Sequence, residues 1–357
     1  MRRLGSWVIL LVLLGLALAM LELISYTLQP GHLGQALLMA ALPAPFYIGL
    51  VLWFDRFEPE PPAALAFAFV LGACLATFVS LNLNEMSTDS YLRTTQSPVA
   101  AEVLTIVLTA PIVEELCKAA CLLTVFWIYR REVDGTLDAV IYSTMVALGF
   151  AVFENVFYYG EALDHDRATL SFCMRGIVSA FSHPLFTSMT GVGLGYALDN
   201  KRLGQRPWWA VLAGLAVAIS LHAAWNFSAV MNLVFWAVLY LLVMVPAGIG
   251  VITVLVSALG REAGWIRQYL KGEVSQARLD VACSVSGRIR FSLQQLGRQG
   301  PSGWWHSERY LVLATRLAFL KRRRDEGEMV EVEQEARLRE AMRAEEAWLG
   351  RQFARPV

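Results

Sequence analysis

Several side chains that can exchange protons or bind a cation sit inside apolar runs of this 357-residue chain. Glu114, Glu115 and Lys118 interrupt "TAPIVEELCKAACLL", and Glu154 interrupts "GFAVFENVFY". Arg175 and His183 follow in a third run, and His222 and Asn226 bracket "HAAWN" in a fourth. An ionisable group at the centre of a membrane span costs about 2.5 to 3.5 kcal/mol on insertion scales, so each needs a reason to be there. Residues four apart share a helix face, which turns Glu114 toward Lys118, Glu154 toward Tyr158 and His222 toward Asn226. Glu114 and Glu115 point about 100° apart on a helix and are expected to do different jobs. In a low-dielectric interior the two carboxylates can hold different charge states, the division that acid and base chemistry requires. A carboxylate and an imidazole together can bind and deprotonate a water, while a histidine and an asparagine amide can stabilise the oxyanion formed at a peptide carbonyl. The same histidines and glutamates, Glu114, Glu154, His183 and His222, could instead hold a zinc ion carrying that water, and spacing does not separate the two schemes. The HExxH zinc motif, the GxSxG nucleophile elbow and a pair of aspartates deep in two spans are all missing. The bland alternative is a buried ion pair that locks helices together, with histidines as hydrogen-bonded packing elements.

Those side chains must be positioned by helices. A bilayer core of roughly 30 Å needs about 20 apolar residues, and runs of that length cover approximately residues 7–26, 33–54, 63–83, 101–129, 136–159, 170–198, 208–228 and 233–258. The expected fold is all-α, a polytopic membrane protein with about eight transmembrane helices over residues 1–260, followed by a C-terminal cytoplasmic helical extension over 261–357. Counted from the cytoplasmic end of each span at 1.5 Å per residue, Glu114 and Glu115 lie about 22 Å deep, Glu154 about 27 Å, His183 about 22 Å and His222 about 21 Å. A common level in the outer half of the membrane favours one site over scattered packing residues.

Composition agrees with a membrane protein, at 56% hydrophobic and 17% charged residues. The net charge of zero is a cancellation: residues 1–260 carry 12 Lys+Arg against 17 Asp+Glu, a balance of −5, and residues 261–357 carry 18 against 13, a balance of +5. With eight spans, Arg2, Arg3, Arg56, Arg130, Arg131, Lys201, Arg202, Arg206 and the basic tail fall on one side, and Arg93 and Arg167 on the other. The positive-inside rule then places both termini in the cytoplasm of a multi-pass inner-membrane protein. Tryptophans near span ends, Trp7, Trp208 and Trp209, suit the interface. The start resembles a secretory signal, but its apolar run continues to about Tyr26 and is read as an uncleaved first span. Five cysteines without a CxxC pair give no disulfide framework, and Cys117 and Cys121 are expected to pack in the core. The tail alternates amphipathic stretches with the break "GRQGPSG" and reads as solvated helices with i to i+4 ion pairs, or as a basic surface for anionic lipid. Nothing points to nucleic acid.

"PIVEELCK" resembles the EExxK motif of PrsW-type intramembrane proteases, and "GFAVFENVFY" their FExxxY motif, with Phe153, Glu154 and Tyr158. His183 and "HAAWN" resemble the third and fourth motifs, and "DRFEPEPP" and "EVDGTLDAV" are similar to the family's linkers. The resemblance covers roughly residues 45–230 and extends to the clan that includes the CAAX prenyl endopeptidases. It implies a membrane peptidase in which Glu114 and Glu115 supply essential carboxylates and Glu154, His183 and His222 complete the site. By analogy with the clan, Glu114 is the general base, aided by Glu154 or His183. His222 and Asn226 are then the oxyanion donors, with Lys118, Tyr158 and Phe153 in support. Zinc stays open, because the family has been filed under both metallo- and glutamic types. The clan's FxxxH pattern meets Phe150 and Glu154 here, a glutamate in place of histidine, which argues against prenylated substrates. The implied substrate is a membrane-anchored protein such as an anti-sigma-factor-like regulator. A non-catalytic scaffold or proton-coupled transporter built on the same polar cluster is the alternative from another class.

Overall fold

The computed structural model describes residues 31–130, 132–133, 135–201, 205, 207–327 and 332–351, with scattered positions between 15 and 29. The expected first span is described only at scattered positions, and Trp7 and the topology-setting Arg2, Arg3, Arg131, Arg202 and Arg206 fall outside the described residues. Among the described residues the regular elements are helical, an isolated bridge between Lys271 and Val274 aside. Two compact units are present, residues 1–54 with 60–255 and residues 55–59 with 256–357.

Among the described residues, five helices are long and apolar enough to cross a membrane: His32–Phe54, Pro62–Thr95, Thr136–Asp164, Trp209–Met231 and Leu233–Leu270. Two expected spans are built differently. The 101–129 segment runs through Pro98–Leu104, a π-helical turn at Thr105–Thr109 and α1 (Ala110–Ile128), and Glu114, Glu115 and Lys118 keep it from being apolar enough. The 170–198 segment splits into a π-helical stretch, Phe172–Val178, and α2 (Ser182–Lys201), separated at residues 179–181. Pro184 has no N–H to donate and is tolerated in a first helical turn, so the helix restarts just ahead of it. Pro62–Thr95 also continues past its apolar run. There Ser87, Thr88, Thr94 and Thr95 turn their hydroxyls back onto carbonyls four residues earlier, which satisfies them without ending the helix.

The centre of the first unit is Thr136–Asp164, apolar around its whole circumference and buried over most of its length. Glycines set how closely its neighbours approach. A Cβ on Gly149 would lie 1.9 Å from the Phe69 carbonyl oxygen and one on Gly72 1.9 Å from that of Val146, so these two helices touch backbone to backbone. In α2, Gly191 and Gly195 lie against Ser143 and Thr136, while Gly193 lies against Ala210 of the Trp209–Met231 helix. Small residues at such contacts let membrane helices pack by dispersion where lipid supplies no hydrophobic drive. The helices carrying Glu154, His183 and His222 are thereby drawn together.

The second unit is built on Gln276–Ala282, α3 (Val285–Asp325) and α4 (Val332–Arg351). Gly300 leaves helical geometry at φ 67° and ψ −160°, and Pro301 opens the next helix, so α3 is two helices joined at the Gly/Pro break. Residues 55–59 belong to this unit: Phe57 is buried, Arg288 donates to the Arg56 carbonyl at 2.8 Å and stacks on Phe57, and Arg323 donates to Glu58 at 3.1 Å.

Candidate active site

α1 brings Glu114, Glu115 and Lys118 to one buried place, and its entry is unusual. Pro111 sits in the first turn, after the widened turn at Thr105–Thr109. Such turns leave carbonyls without their helical partners, and Asn226 Nδ2 donates to one of them, Ile106 O, at 2.9 Å. One predicted oxyanion donor therefore already holds the mouth of α1.

Glu115 is fully buried and fully occupied. Its Oε1 accepts from Lys118 Nζ at 2.8 Å and lies 3.1 Å from His222 Nδ1, and its Oε2 accepts from Thr187 at 2.9 Å. Glu114 is its opposite. Oε1 takes one long contact from Asn84 Nδ2 at 3.4 Å, while Oε2 is buried with no hydrogen-bond donor, 3.5 Å from Lys118 Nζ and 3.8 Å from His222 Nε2. In the neutral tautomer that donates Nδ1–H to the Glu115 carboxylate, His222 presents a lone pair at Nε2. Two acceptors, Glu114 Oε2 and His222 Nε2, thus face each other across 3.8 Å. A buried acceptor without a donor is costly, and this gap calls for a water or a cation between them.

His183 is held at both ring nitrogens, Nδ1 at 3.0 Å from Lys118 Nζ and Nε2 at 2.9 Å from Glu154 Oε2. Arg175 donates to the same Glu154 oxygen at 2.5 Å and to Asn155 at 2.7 Å, and lies over the Tyr158 ring at 3.5 Å. Phe186 stacks on His222 with ring centroids 4.9 Å apart, and Phe150 underlies the Lys118 ammonium at 3.9 Å. The Arg175 and Glu154 side chains are 27% and 12% exposed, against 7% for Glu114, so the cluster opens on the Arg175–Glu154 side.

Sequence reasoning thus located residues that do meet: Glu114, Glu115, Lys118, Glu154, His183 and His222 form one connected network. Tyr158 meets it through Arg175, whereas Phe153 is half-buried on the same helix as Glu154. Thr187, Asn84 and Phe186 were missed, and Arg175 was noted without a role. Thr187 had a signal, since it lies four residues after His183 on the same helix face.

These donors suit a metal ion in part. Glu114, His183 and His222 each bring a ligand atom within 4.8 Å of the others, the carboxylate and two imidazoles that catalytic zinc takes. The orphaned Glu114 Oε2 suits this set. His183 fits only if Nδ1 exchanges Lys118, or Nε2 exchanges Glu154, for the ion.

Residues 60–251, more than half of the chain, match the family model described as PrsW family intramembrane metalloprotease. The chain is 26% identical over 206 residues to Protease PrsW of Clostridioides difficile (strain 630), covering 56% of this chain and 82% of that one. It is 28% identical over 192 residues to Protease PrsW of Geobacillus kaustophilus (strain HTA426), covering 54% and 73%. No solved structure matches it. The chain belongs to the PrsW family of intramembrane proteases.

Proposed function

We propose that this member of the PrsW family hydrolyses a peptide bond in or near the membrane segment of another membrane-anchored protein, of the kind an anti-sigma-factor-like regulator represents. The observation that carries the reading is the unfilled gap between Glu114 Oε2 and His222 Nε2. A water donating one hydrogen to each acceptor satisfies both, and its oxygen is then aimed at whatever lies in front of the gap. Glu114 takes the proton as that oxygen attacks the carbonyl carbon, and later returns it to the leaving amine. Glu115 does not react; it sets the tautomer of His222 and holds Lys118 close. The Lys118 ammonium stabilises the negative charge that builds beside it. Glu154 and Arg175 orient His183 from the open side. Asn226 holds the mouth of α1 and retains a second amide hydrogen for a substrate carbonyl. When bound at Glu114, His183 and His222, zinc would supply Lewis acidity and a more acidic water.

The topology that goes with this function is eight spans in residues 1–260, both termini cytoplasmic in the inner membrane, and a cytoplasmic extension over 261–357. The site then lies toward the outer leaflet, and cleavage falls toward the non-cytoplasmic end of the substrate's span.

Comparative proteomics of membrane fragments tests the function. Cells carrying the intact chain are expected to contain new peptide termini at membrane segments that disappear with Glu114→Gln at equal expression. Identical termini in both would refute it and leave a scaffold or transporter. Metal content is read separately: zinc retained through dialysis and lost in His222→Ala places the ion in the site, whereas full activity in chelator assigns the chemistry to the side chains alone.

A further inference from the structure

The second unit covers its large apolar side chains, with one local exception. Beyond Val256, the exposed large apolar residues among those described are Leu293, Leu296, Trp304 and Trp305, 57%, 39%, 48% and 52% exposed, all within residues 293–305. That stretch is the turn of a helical hairpin. The first arm of α3 ends at Gly300, Pro301 starts the second, and a Cβ on Gly303 would come within 2.5 Å of the Gln295 carbonyl oxygen, so the arms close on each other there. Leu293 and Leu296 are three apart on one face, and the two tryptophans lie in the first turn of the opposite arm. Exposed arginines 290, 298 and 309 stand around them, with Arg309 also reaching Glu345 at 3.0 Å. Residues 285–316 hold five arginines against one glutamate, a balance of +4.

The four consecutive basic residues Lys321 to Arg324 are differently used. Lys321 donates to Glu273, Arg322 to Glu326, Arg323 to Glu58 and Arg324 to Glu335, so its charge is spent inside the unit. Among the described residues of the unit, exposed large apolar side chains and exposed arginines coincide at the hairpin turn.

We propose that this turn is a membrane-surface anchor, seating Trp304, Trp305, Leu293 and Leu296 at the headgroup boundary of an anionic bilayer with Arg290 on lipid phosphates. Indole rings favour that boundary because one edge is apolar and the N–H seeks water. An arginine near an anionic surface adds electrostatic attraction to that apolar insertion. The unit follows directly on the apolar helix Leu233–Leu270, so a bilayer is always at high local concentration, which makes weak insertion sufficient.

The test places an environment-sensitive nitrobenzoxadiazole probe at the exposed turn by Ser302→Cys. The full chain is used, with Cys173 replaced by serine and the other four native cysteines by alanine. It is reconstituted in nanodiscs of phosphatidylcholine alone or mixed equally with phosphatidylglycerol. Emission is expected to shift blue and rise about twofold in the anionic discs, and to fall again in high salt. Spin-labelled lipid should quench it. Trp304→Ser with Trp305→Ser removes the shift, and Arg290→Gln weakens its dependence on phosphatidylglycerol. Water-like emission in both discs, an equal shift in both, or a blue shift that spin-labelled lipid leaves unquenched would each overturn the proposal, the last by showing the turn covered by protein.

Discussion

Two regions of this chain gather carboxylates and cations at salt-bridge distance, and they are organised oppositely. In the second unit, Glu273 accepts from Lys321 at 2.5 Å and from Arg339 at 2.8 and 2.9 Å, and Arg339 continues to Glu335, which also takes Arg324. Glu273 and Glu335 both end on donors, and the arginines lie 29% and 51% exposed. In the first unit, Glu115 is just as completely paired, but its neighbour Glu114 keeps an oxygen buried without a donor, opposite a histidine lone pair. Density of charge is common to both regions; within these two networks, the carboxylate oxygen that is buried without a donor, and so left with an unmet hydrogen-bonding need, is that of Glu114. That need, rather than the ion pairs around it, marks a place built to hold something else.

Substitutions can break or sharpen this contrast. Lys118→Met should do the most damage, because it leaves Glu115 fully buried without its cation; about 3–5 kcal/mol of stability is expected to be lost, read from denaturant unfolding in detergent micelles. A loss below about 1 kcal/mol would place the pair in the class of surface bridges. Thr187→Val removes the donor to Glu115 Oε2 at nearly constant volume and should cost about 1–3 kcal/mol in the same measurement. Arg339→Gln in the second unit should cost at most about 1 kcal/mol and leave cleavage unchanged.

The pH response of the second unit has a definite sign. Arg339, with Lys321 beside it, holds the Glu273 carboxyl down at about 2 from an ordinary value of 4.5. A depressed carboxylate binds fewer protons folded than unfolded, so its stabilisation is present above 4.5 and is lost as pH falls toward about 2. Proteolysis of α4 should accelerate over that window in the intact chain, and Arg339→Gln should move the onset upward. An onset that stays put would detach Glu273 from Arg339.

Most of the cluster was legible because buried charge in an apolar run is expensive and therefore visible. Helical spacing correctly put Glu114 beside Lys118, yet the tighter partner is Glu115 at i+3, since side-chain length and the pull of His222 decide which carboxylate the ammonium reaches. Asn84 was not legible, because one amide at the polar end of a span carries little cost. Arg175 escaped a role for a different reason: it lies in Phe172–Val178, where the widened turns do not follow the 3.6-residue face rule. Ion pairs at i to i+4 in the tail, such as Arg322–Glu326 and Arg339–Glu335, follow from spacing. Arg324–Glu335, across a turn, and the seating of Phe57 against Arg288 depend on tertiary placement that no local rule encodes.

The division of labour between adjacent glutamates is tested most directly by comparing Glu114→Gln with Glu115→Gln for both substrate cleavage and thermal unfolding. Glu114→Gln should lower cleavage by about a thousandfold with stability held to within about 1 kcal/mol, whereas Glu115→Gln should unfold several kcal/mol more easily. Equal losses of stability in the two variants, or cleavage that survives Glu114→Gln, would contradict it.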